Sequence, residues 1–203
     1  MMLVSRLAFL LTSRFAPCGT LLLALMTLLP AARADETAAW AALQRGGQIV
    51  LMRHASTESG IGDPPGFTLA DCRSQRQLSA AGRAQAQRLG AAFQSRRIAV
   101  SDVWSSRWCR CTETAQLAFG QVTPMPMIDS SFEDSATVAS QKLRDVVTAI
   151  GNHTTDGNLV MVTHQVNITE LTGLGTRMGE ALVLSGQRDA DGKFVVIGRL
   201  QVD

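Results

Sequence analysis

Hydrophobic residues fall along this chain in two rhythms, short unbroken blocks and longer stretches of helical spacing, separated by turn-forming residues. "GGQIVLMRH", "IAVSDVWSS" and "NLVMVTHQ" are blocks of the first kind and read as buried strands. "LSAAGRAQAQRLGAAFQ" has apolar residues at helical spacing behind Ser79, a plausible N-cap. "CRCTETAQLAF" and "SATVASQKLRDVVTAI" read as helices too, the latter ending before Gly151, and a short amphipathic stretch spans Thr37 to Arg45. "VTPMPMID" suggests a short strand and "NITELTGL" a short helix, while "ALVLS" and "KFVVIGRLQV" close the chain as strands around a polar turn. Strands alternating with helices predict an α/β fold, a three-layer α/β/α sandwich with a mostly parallel sheet that the C-terminal hairpin makes mixed.

Residues 58–77, "ESGIGDPPGFTLADCRSQRQ", are rich in Gly, Pro and Asp and read as a long loop. Loops of this length in compact domains are more often functional than idle.

The first 34 residues follow another pattern. Arg6 and Arg14 precede a short apolar run, "GTLLLALMTLLP", and "AARA" follows, with no acidic residue before Asp35. A positive start, an apolar centre and small residues around a cleavage point make a secretory signal peptide, expected to be cut after Ala34. The run of about 12 apolar residues is short of the roughly 20 that a spanning helix needs. The expected organisation is a leader over 1–34 and a single catalytic domain over 35–203, periplasmic or secreted, with no stable membrane anchor after cleavage.

Charge changes once the leader is set aside. The chain has 19 Lys and Arg against 17 Asp and Glu, a formal +2. The leader holds three arginines and no acids, so 16 bases face 17 acids in the remainder, a net −1. With two lysines and scattered arginines there is no basic stripe of the kind that binds nucleic acid. Three cysteines remain, Cys72, Cys109 and Cys111, which allow one bridge in an exported protein. The Cys72–Cys109 pairing is preferred among the three.

Candidate chemistry collects at the carboxyl ends of the predicted strands, where ligands bind in such sheets. Arg53 and His54 follow the first strand, Arg110 the second, and His164 a later one. A neutral imidazole can attack phosphorus and carry the phosphoryl group, while guanidinium forks match phosphoryl oxygens and neutralise developing charge. Adjacent cations also oppose protonation of His54. By contrast His153, in the turn-like "GNHTTDGN", reads as exposed and idle, and Arg107 reads as a surface residue.

These segments resemble the histidine phosphatase superfamily, which includes cofactor-dependent phosphoglycerate mutases and acid phosphatases. "LMRHAST" resembles that family's Arg-His-Gly signature, with Ala55 in the glycine's place. "QLSAAGRAQAQRLG" resembles its Leu-Thr-x-x-Gly-x-x-Gln-Ala helix, and "VWSSRWCRCTETA" its Ser-Ser-x-x-x-Arg-x-x-x-Thr-Ala stretch. "VMVTHQVNI" resembles the strand that ends in a second histidine, and the likeness covers most of residues 46–175 in the family's order. The resemblance implies a phosphoglycerate mutase-like fold, His54 as nucleophile, Arg53 and Arg110 as phosphate clamps and His164 as a second pocket histidine. By order and spacing it offers Glu133 as a general acid, and Thr57 as a hydroxyl donor to phosphate. Gln165 stands where the acid phosphatase branch has an aspartate, and Gly60 where the mutase branch has an asparagine.

The expected reaction is hydrolysis of a phosphomonoester or phosphohistidine through a phosphohistidine on His54, with no metal or other cofactor. The partner is a small phosphorylated substrate; among family members, phosphohistidine phosphatases and an exported enzyme acting on lipopolysaccharide core sugar phosphates are the comparisons. The alternative is a non-catalytic phosphate- or phosphosugar-binding protein that keeps the pocket. Cysteine phosphatase chemistry is excluded by pattern, because the residues six after Cys72, Cys109 and Cys111 are Leu78, Ala115 and Leu117 rather than arginine.

Overall fold

The computed structural model describes residues 31–60 and 62–201. Its strands are β1 (Ile49–Arg53), β2 (Val100–Ser105), β3 (Thr123–Pro124), β4 (Asn158–Thr163), β5 (Ala181–Arg188) and β6 (Phe194–Leu200). They form one sheet in the order β3-β2-β4-β1-β5-β6. β3, β2, β4 and β1 run parallel, and β5 and β6 pair antiparallel at the other edge. The helices are α1 (Ala31–Arg45), α2 (Ala80–Ser95), α3 (Cys109–Phe119), α4 (Ala136–Asn152) and α5 (Gln165–Thr172).

Strand alternation divides the core between the two faces. Val50 and Met52 of β1 point with Val103, Val160, Val162 and Val183 toward α1, α2 and α3. Ile49 and Leu51 point with Trp104, Leu159, Met161 and Leu182 toward α4 and α5. Because β1 and β4 are covered on both faces, they read in sequence as continuous apolar runs. The layers are those expected of an α/β/α sandwich.

Local details follow from particular residues. Ser79 caps α2 by accepting a hydrogen bond from the Gly82 amide, 3.0 Å away. A side chain at Gly82 would collide with the Ser56 carbonyl, so this glycine lets the helix start press against the turn after β1. Helix α4 runs through Gly151 to Asn152, because Gly151 is exposed and its missing side chain costs no packing. The strand expected in "VTPMPMID" shrinks to two residues at the sheet edge, where Pro124 is tolerated, followed by a 3-10 turn over Pro126–Ile128. Helix α1 begins at Ala31 and so crosses the expected cleavage point in the full chain. The rest of the expected leader lies outside the described residues. Among the described residues, no helix is long and apolar enough to cross a membrane.

Cys72 and Cys109 form a disulfide, which ties the 58–77 loop to the first residue of α3. Cys111 is free and buried. Gln75 strengthens the tie by accepting the Cys109 amide at 2.9 Å.

Candidate active site

The parallel pairing of β1 with β4 places Arg53 opposite Thr163, so His54 and His164 leave neighbouring strand ends together. Their rings meet edge to face with centroids 5.6 Å apart. Arg110, one residue into α3, brings Nη2 to 3.5 Å from Nδ1 of His164. His54, Arg110 and His164 are each at most 4 % exposed. Arg53 is half-buried at the end of β1, where its Nη1 donates to the Thr176 carbonyl at 2.9 Å.

The turn carrying His54 is held by its own neighbours. Nδ1 of His54 lies 2.9 Å from the Ala55 carbonyl, which only accepts, so Nδ1 carries the proton and Nε2 keeps its lone pair. The Ala55 amide donates to Thr114 Oγ1 of α3 at 3.0 Å. Gln85 of α2 accepts the Ser56 amide and donates to the Met178 carbonyl. Ala55 serves where the family signature has glycine because this turn keeps out of the left-handed region, and its methyl packs with Leu78, Ala86 and Ala118.

Burial and cations set the charge states. Burial pushes the His54 imidazole down to about 3, and Arg110, Arg53 and Arg76 add to the shift against the Ala55 hydrogen bond. His164 is also held well below the usual histidine range, by burial first and then by Arg110. Both imidazoles are therefore neutral at neutral pH.

Two pocket residues escaped the sequence reading, and both come from the 58–77 loop. Asp63 binds Arg110 Nη1 at 2.7 Å and accepts the Trp108 indole N–H at 2.9 Å and the Arg76 amide at 2.9 Å. Burial alone would push its carboxyl up; the Arg76 amide and the Arg110 charge more than offset that and hold it below the ordinary range. Arg76 lies close enough to Arg53, Arg110 and both histidines for its charge to act on them. Its Nη1 donates to Thr57 Oγ1 at 2.5 Å. The Nε atoms of Arg53, Arg76 and Arg110 are buried with no hydrogen-bond partner. Three unsatisfied cationic donors beside two neutral imidazoles form a receptor for a multiply charged oxyanion. A lone Asp or Arg in a polar loop gives no periodic signal, so only the disulfide at Cys72 hinted that this loop reaches the pocket.

The other expectations fall differently. Glu133 is exposed in the turn before α4, and a carboxylate that bonds Arg110 directly is that of Asp63. Thr57 Oγ1 already accepts from Arg76, so its bond to the pocket runs through that guanidinium. His153 is not idle: it is largely buried, bonds Asp102 at 2.9 Å and meets Trp104 edge to face. Packing of the α4 C-terminus onto β2 draws it in, which a turn-like sequence did not signal. Arg107 is half-exposed but fastens the buried Asp129 carboxylate. Gln165 accepts the Thr176 amide and hydroxyl, steadying the carbonyl that holds Arg53.

The sequence model of the histidine phosphatase superfamily (branch 1) matches residues 49–135. No curated protein matches the chain. Among solved structures it is similar to a putative phosphohistidine phosphatase SixA from Agrobacterium tumefaciens, with TM-score 0.52, 19% identity and coverage of 76% of this chain and 97% of that one. It is similar to Mycobacterial hydrolase 1, with TM-score 0.55, 15% identity and coverage of 76% and 99%. An alpha-ribazole phosphatase from Shigella flexneri gives 0.51, 15%, 76% and 94%. At these identities the structural likeness is one of fold.

Proposed function

We propose that this chain, whose residues 49–135 match the sequence model of the histidine phosphatase superfamily, is a phosphatase that hydrolyses a phosphomonoester or phosphohistidine through a phosphoryl group carried on His54. The observation that carries this reading is the set of three buried, unpartnered guanidinium Nε atoms around two neutral histidines.

His54 Nε2 attacks phosphorus with its free lone pair while the bond to the leaving group breaks, and the Nδ1–H bond to the Ala55 carbonyl fixes the ring's aim. Arg53, Arg76 and Arg110 supply donors to the equatorial oxygens as charge spreads over them. Water then attacks the phosphohistidine, freeing phosphate and restoring neutral His54. Arg110 is shared, since Asp63 holds one of its nitrogens while Nε remains free. The three arginines and Asp63 leave two net positive charges, matched to a phosphomonoester dianion. With Glu133 exposed, the reading favours substrates whose leaving group needs little protonation.

The same proposal takes 1–34 as a leader removed after Ala34, and 35–203 as a catalytic domain in the periplasm or outside the cell. A lipopolysaccharide core sugar phosphate is a candidate substrate in that compartment, and the Cys72–Cys109 bridge suits an oxidising one. The test is turnover of para-nitrophenyl phosphate in the presence of a chelator, with rapid quench to trap an acid-labile, base-stable phosphoprotein. Phosphate binding without turnover would favour the non-catalytic alternative, and turnover abolished by the chelator would sink the proposed mechanism.

A further inference from the structure

Asp129 is an ionisable residue at 1 % exposure that the reaction above does not use. It follows the 3-10 turn after β3, and Asn167 of α5 anchors its carbonyl at 2.9 Å. Its Oδ1 lies 3.3 Å from the Ser106 hydroxyl, whose Oγ lies 2.8 Å from Nε2 of His164. We infer that Asp129 and Ser106 form a relay that keeps a proton on Nε2 of His164 and readies Nδ1 to take a second one when phosphate arrives.

The direction of the relay follows from what each group can donate. The Arg110 guanidinium faces Nδ1 of His164 and can only donate, so Nδ1 must present its lone pair. The proton of neutral His164 is then on Nε2 and is given to Ser106 Oγ. Ser106 also accepts the Trp108 amide at 3.3 Å, which leaves its own O–H for Asp129 Oδ1. In the reverse arrangement an Nδ1–H would point at a guanidinium N–H, and the Ser106 lone pairs would face a carboxylate. Arg107 grips Asp129 from the other side through its amide and guanidinium, holding the carboxylate in place. The Cys111 thiol, 3.5 Å from Nε2, is pushed up to about 12 by burial and stays protonated.

The inference rests on the phosphatase reading and assigns this pair a positioning role in it. Arg110, Arg53, Arg76 and His54 all oppose a charge on His164. A bound phosphoryl dianion offsets those cations, and the Asp129 carboxylate, one hydroxyl away, supports the imidazolium from behind. With a phosphoryl oxygen seated between the imidazole and the Arg110 guanidinium and accepting from both, His164 can donate from Nδ1, taking its proton from the monoanionic ester or from solvent. A buried carboxylate orients a catalytic imidazole in serine-protease triads by the same logic; here a serine hydroxyl stands between the two.

The test is nitrogen NMR of histidine-labelled protein at neutral pH, with and without inorganic phosphate, beside steady-state kinetics. The wild-type His164 is expected to be neutral and Nε2-protonated when free, and doubly protonated with phosphate bound. Ser106→Ala should mix the tautomers, prevent the second protonation, and lower kcat by about 10- to 100-fold with KM nearly unchanged. Ser106→Thr should restore all three, and Asp129→Asn should follow the alanine variant. An Nδ1-protonated wild-type His164, or a Ser106→Ala enzyme with wild-type tautomer and kcat, overturns the relay whether or not the other variants fold. If the wild type shows the expected protonation but no turnover of any phosphomonoester, the catalytic reading fails and the proton assignment stands.

Discussion

The pocket has two halves built on different principles. The strand-end half, Arg53, His54 and His164, is fixed by a parallel ladder whose every central position is buried. The loop half, Asp63 and Arg76, hangs from irregular chain and is held by one disulfide, a few side-chain hydrogen bonds and its ion pair with Arg110. In the proposed reaction the strand half supplies the nucleophile and its aim, and the loop half adjusts charge. Arg110 belongs to both, since α3 carries it and the loop bonds it.

Removing the proposed nucleophile should break the strand half outright. His54→Ala is expected to lower kcat on para-nitrophenyl phosphate by about 10³-fold or more and to abolish phosphoprotein in quenched samples. Arg110→Ala strikes the shared residue and should cost about 10²- to 10³-fold in kcat/KM, since it removes donors aimed at developing charge.

Reducing the disulfide probes the loop half alone. Closing a loop across 37 residues is worth about 4 kcal/mol to the folded state. Reduction should therefore lower the melting temperature and raise KM more than it lowers kcat. An unchanged KM would show that the loop is held by its polar contacts without the bridge.

Arg76→Gln separates the halves by charge. In the proposed reaction His54 attacks only as the neutral imidazole, and its folded value of about 3 keeps it so through the mildly acidic range. Loss of the Arg76 charge removes one cause of that depression, so the acid limb of kcat/KM, corrected for substrate ionisation, should move to higher pH. Stability has its own pH course. In the unfolded chain both histidines take protons below about pH 6.5. In the folded protein they resist them, so stability is full above that pH and falls as pH drops toward 3. Melting temperatures measured across this window check the sign. The smallest effect is expected from Asp63→Asn, which frees Arg110 and should tighten inhibition by inorganic phosphate a few-fold.

The same division decides what could be read from sequence. Arg53, His54 and His164 announce themselves because a run such as "IVLMRH" marks both the strand and the place where it must stop. Helix α2 was legible from its spacing and its Ser79 cap. Asp63 and Arg76 were not, because loop residues are placed by long-range partners: Trp108 and Arg110 for one, Thr57 for the other. Glu133 had suitable order and spacing, but the turn before α4 turns it to solvent. Asp129 lay four residues away, its burial decided by Arg107 and Asn167.

The strand order also bears on how the chain acquires its shape. β1 lies early in sequence, yet both of its neighbours, β4 and β5, come from the last third of the chain. Until they arrive, Ile49–Met52 is an unpaired apolar segment of high β-propensity, the kind that seeks other edges. Pairing at such sequence separation forms slowly. A chain shortened before residue 181 lacks β5 altogether, leaving one side of the strand that leads into His54 open to aggregation.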